Sequence, residues 1–300
     1  MLWPIFFASV AAILVVDLAL SSRTMTMAGR AALTAGFMAA AAAFSALIYR
    51  EYGMDGWTEF ITGYLVEFSL SMDNIFLINM IFTTLSVSPR HQHRVLLWGV
   101  LGALAMRAAM IFAGGALIQR FEWILYGFAV FLLLSGGHVL RGAGAAQDET
   151  VDPKILKWLK KHFPFTDTQE GGKFFVRSKG RWLGSRLAVA LITVEITDLI
   201  FAMDSIPAIF GITGNLTIAF TSNIFAVIGL RSLYFLLADI VLKFKYLRYS
   251  LGLILLFIGA KILLGAVGVH IGAGLSLAAT FALLLGGIMV SLHRKRRKRA

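Results

Sequence analysis

Two short stretches place acids where hydrocarbon is expected. "VEFSLSMDNIFLI", residues 66–78, carries Glu67, Ser71, Asp73 and Asn74, and "TVEITDLIFAMDSIPAI", residues 193–209, carries Glu195, Asp198, Met203, Asp204, Ser205 and Pro207. Carboxylates, an amide and hydroxyls without histidine or thiolate make a hard oxygen set, suited to Mn²⁺, Ca²⁺ or Mg²⁺ rather than zinc or copper. Met72 and Met203 are read as packing first and as soft ligands second. Five carboxylates in a low-dielectric setting cannot all stay ionised without compensation. They carry protons, pair with the in-helix Arg107 or Arg231, or hold a cation, which makes exchange of a metal for protons a natural mechanism.

The two stretches align at an offset of 131. Glu67 falls on Asp198, Met72 on Met203, Asp73 on Asp204 and Asn74 on Ser205, so each copy has acid, five residues, then acid. Six residues span ~9 Å of helix, and antiparallel placement brings Glu67 to the depth of Asp204 and Asp73 to that of Asp198. Glu67, Ser71 and Asn74 share one helical stripe, as do Glu195, Asp198, Ala202 and Ser205; Asp73 and Asp204 fall about a third of a turn away. Either those two face another side or the helices are distorted. Pro207 favours distortion in the second copy, because it cannot bond the carbonyl of Met203. Phe76 occupies the corresponding place in the first copy.

The elements that hold these residues are membrane spans. Hydrophobic residues make up 58% of the 300 and mean hydropathy is +0.80, outside the range of soluble domains. Nine apolar segments reach the ~20 residues of a spanning helix, near 2–20, 31–48, 60–85, 95–118, 121–140, 187–210, 216–242, 250–267 and 273–292. Counted against alternating sides, 23 of the 28 Lys and Arg residues fall on one side and only Arg50 and Arg120 on the other. Positive loops stay cytoplasmic, so the N-terminus is expected outside and the C-terminus inside. The third and sixth spans then run in opposite directions and the repeats are inverted.

The expected fold is an all-α polytopic membrane protein of about nine transmembrane helices with two inverted three-helix repeats, helices 3–5 and 6–8. Its parts are two N-terminal helices (1–56), a first repeat (57–140), a cytoplasmic basic loop (141–186), a second repeat (187–268), and a last helix with a basic tail (269–300). Inverted units meeting at the bilayer midplane are a recurring design of secondary transporters.

Other features have plainer readings. In the basic loop, "KILKWLKKHFPF" reads as an amphipathic segment on the inner membrane surface or as a solvated linker. "HRKRRKRA" reads as a positive-inside anchor rather than a nucleic-acid tail. With no cysteine there is no disulfide, thiolate metal site or cysteine nucleophile. "GGHVLRGAG" is no phosphate loop, and no nucleotide motif supports an ATP-driven pump. Two membrane aspartates also suggest an aspartyl protease, but the "YD" and "GxGD" pair of such enzymes is missing. No enzymatic activity is expected.

"EFSLSMDNIF", "EITDLIFAMDSIPAIFGIT" and "SNIFAVIGLRSLYFLL" resemble the TerC family, including its nine-helix Alx-like members, within the broader LysE-type transporter superfamily. The resemblance covers roughly residues 60–265. It implies a bacterial inner-membrane protein concerned with divalent metal efflux, chiefly of Mn²⁺, and by name with tellurite resistance. It further implies that Glu67, Asp73, Asn74, Glu195, Asp198 and Asp204 are the polar membrane residues of transport. The expected cargo is Mn²⁺, with Ca²⁺ or another divalent ion as alternatives, exchanged for protons, with no permanently bound cofactor. Competing readings are an exporter of another small cation or amino acid, and a membrane scaffold in metal or tellurite stress.

Overall fold

A helix of 58 residues extends ~87 Å at 1.5 Å per residue, far more than the ~30 Å of a hydrocarbon core. The second helix of this chain, α2 (Met27–Thr84), has that length and breaks at Gly53, whose φ of 71° and ψ of −164° suit only glycine. The break folds α2 into two antiparallel limbs. Trp57 Nε1 donates to Ser45 Oγ at 3.1 Å, and the rings of Phe44 and Phe60 lie 6.0 Å apart, although sixteen residues of straight helix would separate them by ~24 Å.

The computed structural model describes residues 2–21, 26–121, 123–142, 164–166, 172–178, 181–241 and 247–297. Besides α2 the helices are α1 (Leu2–Ser21), α3 (Pro89–Arg120), α4 (Trp123–Gly142), α5 (Arg186–Ile212), α6 (Leu216–Ile228), α7 (Leu230–Val241), α8 (Leu247–Ala266) and α9 (Ala273–Arg297). All nine apolar segments of the sequence fall on helices. The partition differs from expectation, because the second and third share α2 and the seventh is divided between α6 and α7. Among the described residues, seven stretches are long and apolar enough to cross a membrane. This is a largely helical, polytopic membrane protein. The span holding Glu195, Asp198 and Asp204 is outside those seven, because it carries too many charged residues for a purely apolar span.

The helices start where local chemistry dictates. Ser185 caps α5, accepting from Leu187 N at 3.1 Å, and Asn215 caps α6, accepting from Thr217 N at 2.9 Å. Pro89 opens α3, where its missing N–H costs nothing.

Within the basic loop the chain departs from the all-α expectation. Strands β1 (Phe175–Ser178) and β2 (Arg181–Gly184) form an antiparallel hairpin, held at the start of α3 by Arg94, which donates to Gly172 O at 3.0 Å. Residues 154–163, the body of the expected amphipathic segment, lie outside the described residues.

In lipid, burying apolar surface drives helix association little, so close packing and hydrogen bonds carry it. A Cβ at Gly136 of α4 would stand 2.8 Å from Gly252 O of α8, and one at Gly259 of α8 would stand 2.8 Å from Ala129 O of α4. Glycine at these points lets α4 and α8 touch backbone to backbone, antiparallel.

Two apolar cores stack along the bundle. At the end holding Asp55 and Thr213, Phe6, Phe44, Phe60 and Phe225 interlock, with the Phe44 and Phe225 rings 4.9 Å apart. At the basic-loop end, Ile78, Phe82, Leu96, Leu187 and Tyr234 form the second core. A polar layer separates the two.

Candidate functional site

Arg107, on α3, is only 1% exposed and forms the centre of that layer. Its Nη1 pairs with Glu67 Oε1 of α2, its Nη2 donates to Asp198 Oδ1 of α5 at 3.0 Å and its Nε to Asp198 Oδ2 at 3.3 Å. Asn223 of α6 donates Nδ2 to Glu67 Oε2 at 2.9 Å, and Asn74 of α2 donates Nδ2 to Asp198 Oδ1 at 3.2 Å. Ser205 Oγ lies 3.4 Å from Arg107 Nη1. Four helices thus converge on one guanidinium.

Helix phase explains who takes part. Glu67, Ser71 and Asn74 follow at four and three residues, so all three turn inward together and are buried. On α5 the same holds for Asp198, Ala202 and Ser205. Asp204 is one residue, about 100°, from Ser205, and it turns to α4, accepting from Ser135 Oγ at 2.8 Å. Of the two arrangements the sequence leaves open for Asp204, the structure takes a different facing: α5 runs through Pro207 without interruption. Pro207 itself is buried, and Met203 is 52% exposed on the outer surface of α5 beside the exposed Leu199 and Ile200.

The expected slab of acids is therefore divided. Glu67 and Asp198 come together, with Asn74, Ser71 and Ser205 around them; Asp204 does not join. Glu195 is half-buried against α3, where a Cβ at Gly102 would collide with its carboxylate. The side chains of Asp73 and Arg231 lie outside the described residues. Among the described residues no three His, Cys, Asp or Glu side chains converge closely enough to hold a metal ion. The reason on α5 is again phase: Asp198 and Asp204, six residues apart, are turned about a third of a turn from each other and do not share a face.

Asn223 and Ser135 are partners that the acids alone do not reveal. A signal for Asn223 was nonetheless present, since Asn-Ile-Phe occurs at 74–76 and again at 223–225. Ser135 shows only as a hydroxyl in the apolar run "FLLLSGG".

An apolar-walled cavity reaches the layer. It is lined by Asn74, Thr197 and Asp198 at its floor and by Leu96, Val194 and Ile78 toward the basic-loop end. Beside it, Asn74 Oδ1 and, on the same stripe, Ser71 Oγ are buried without a hydrogen-bond partner among the described residues, an expensive condition in a low-dielectric interior. At the opposite end the helices are tied across the same crossing, where Thr213 donates to Glu59 Oε2 at 2.6 Å.

The sequence profile of the Integral membrane protein TerC family matches residues 52–299. The chain belongs to the TerC family. An uncharacterized membrane protein of Rickettsia bellii is 40% identical over 301 residues, covering 98% of each chain. One from Myxococcus xanthus is 40% identical, covering 98% of this chain and 93% of the other. The Escherichia coli (strain K12) relative, named "Putative membrane-bound redox modulator Alx", is 41% identical over 95% of this chain and 92% of its own length. No solved structure matches this TerC chain at a significant level.

Proposed function

We propose that this TerC protein exports a divalent metal cation, with Mn²⁺ as the expected cargo, by secondary transport coupled to protons through the polar layer around Glu67 and Asp198. The observation that carries this is the cavity whose floor is Asp198 and the partnerless Asn74 Oδ1. A carboxylate and an amide oxygen, set in the middle of a membrane bundle beside a cavity whose walls lie toward the basic-loop end, are donors that suit a hard cation. By the distribution of basic residues that end faces the cytoplasm, so this state is poised to load cargo from inside while aromatic packing and the Glu59–Thr213 bond seal the outside.

An inverted repeat, as read from the offset of 131, would support alternation between two such states. Asn74 meets Asp198, and a Cβ at Gly63 would press on Ile209 at 2.5 Å, so α2 and α5 cross antiparallel. Under the offset of 131, the Asn74–Asp198 contact maps onto Glu67 with Ser205, and both of these meet Arg107 Nη1. Likewise the second limb of α2 packs along α6 and α7, while α3 packs along α5. An exchange of contacts between halves is what a pseudo-two-fold axis in the membrane plane requires.

The name of the Escherichia coli relative speaks of redox modulation. Because this chain has no cysteine, a redox role in it would run through the metal it moves rather than through thiols.

The deciding experiment is Mn²⁺ flux in proteoliposomes of the full chain under an imposed pH gradient. Wild type is expected to move Mn²⁺ and Glu67→Gln to be inactive while still folded. Flux that is absent in wild type, or unchanged in the variant, sinks the reading, and the second outcome favours a scaffold with internal struts.

A further inference from the structure

An arginine among membrane carboxylates is either a permanent strut or a stand-in for something that comes and goes. The occupancy of the carboxylate oxygens separates the two. Glu67 gives Oε1 to Arg107 and Oε2 to Asn223; Asp198 gives Oδ2 to Arg107 and Oδ1 to both Arg107 and Asn74. All four oxygens thus face N–H donors. The cavity nevertheless ends on Asp198, and the buried oxygen lining it that has no partner among the described residues belongs to a neutral group, Asn74 Oδ1. A cation arriving by this route meets a site whose charged ligands are already taken.

Resting on the export reading above, we infer that Arg107 is a tethered counter-ion that fills the cargo position in the unloaded state, and that a divalent cation binds only by displacing its guanidinium from Glu67 and Asp198. Charge supports this. With Arg107 in place, the three groups sum to −1; with it withdrawn, the pair presents −2, which a divalent ion neutralises. A monovalent ion brings no more charge than the guanidinium it must displace, so the arginine excludes Na⁺ by competition rather than by size. The displaced side chain also has somewhere to go, for Ser205 Oγ and Asn223 Oδ1 already lie 3.4 and 3.5 Å from its Nη1. Both are uncharged acceptors, and Asn223 is itself held in place by Glu67 through its Nδ2. Arg107 is in this sense a specificity-determining residue, since it sets the minimum charge a cargo must carry.

The test is direct Mn²⁺ binding, with and without Na⁺ as competitor, to the purified full chain in lipid nanodiscs, together with Mn²⁺ flux in proteoliposomes. Arg107→Gln is expected to bind Mn²⁺ at least about ten-fold tighter than wild type, to become sensitive to Na⁺, and to lose flux, because the acids can no longer be handed back to a resident cation. A strut predicts the opposite sign for binding. Folded Arg107→Gln that binds Mn²⁺ no better than wild type overturns the inference and leaves the export reading standing if wild type still transports. Wild type that neither binds nor moves Mn²⁺ sinks both. Should Arg107→Gln fail to fold, Asn223→Ala decides. It frees one oxygen of Glu67 and loosens the arginine without changing any charge, so binding should tighten by about three-fold; unchanged or weaker binding overturns the proposal.

Discussion

Asp198 and Asp204 stand six residues apart on one helix, ~9 Å along its axis, and live in different worlds. Asp198 is 8% exposed, held by Arg107 through both oxygens and by Asn74 through one. Among the described residues, the half-buried Asp204 accepts from Ser135 on α4 alone. The difference teaches that a carboxylate in a membrane helix is not one kind of object. Where a guanidinium answers it, the acid is part of the fold as well as part of any site, because each charge is the other's solvent. Where only a hydroxyl answers it, the fold does not need the negative charge, and the reason for keeping an acid there must lie in what the protein does.

The contrast breaks most visibly at Asp198. Asp198→Asn leaves Arg107 buried with one anionic partner instead of two, and removing a member of a buried pair costs about 3–5 kcal/mol. The retained Glu67 places this case at the low end, about 3 kcal/mol. Unfolding of the purified variant in detergent should show that loss, and Mn²⁺ flux should vanish. A variant as stable as wild type would mean that Asp198 is no more structural than Asp204.

At Asp204 the expected outcome is reversed. The amide of Asp204→Asn keeps an oxygen to accept from Ser135, so stability should stay within about 1 kcal/mol of wild type. Flux should nonetheless fall by about ten-fold or more, the scale on which loss of a functional charge reads. Normal flux in a stable Asp204→Asn protein would remove Asp204 from the transport route and leave Glu67 and Asp198 as the whole of it.

How far this was legible in the sequence depends on the same geometry. The nine apolar segments, their helical state and the depth of each acid follow from length, composition and rise per residue. Asn74 does sit level with Asp198, and Glu67 with Ser205, next to Asp204, as antiparallel placement requires. What the sequence leaves open is rotation about the helix axis. The third of a turn between Asp198 and Asp204 follows from the helix period, but Pro207 favoured distortion, and the packed bundle corrects that: α5 is continuous, with Asp204 facing α4. Arg107 was visible as a counter-charge; its place between Glu67 and Asp198 was not, since nothing in one chain's pattern says which of five acids an arginine meets. The hairpin at 175–184 escaped for a different reason: four-residue strands in a basic loop leave no periodicity long enough to detect.

The smallest and most diagnostic change is Ser135→Ala. It removes the hydrogen bond that Asp204 accepts from Ser135 while leaving every charge in the bundle in place. If that hydroxyl fixes the direction of the carboxylate, its loss costs about 1 kcal/mol and slows flux only a few-fold, because Asp204 keeps its charge but no longer its aim. Restoring the hydroxyl as Ser135→Thr should recover most of the rate, since threonine offers the same donor at the cost of one methyl. A Ser135→Ala protein as impaired as Asp204→Asn would show that the pair acts as a unit. An unaffected one would show that Asp204 reaches its working position without α4, and would return the distorted helix around Pro207 as the explanation for how it gets there.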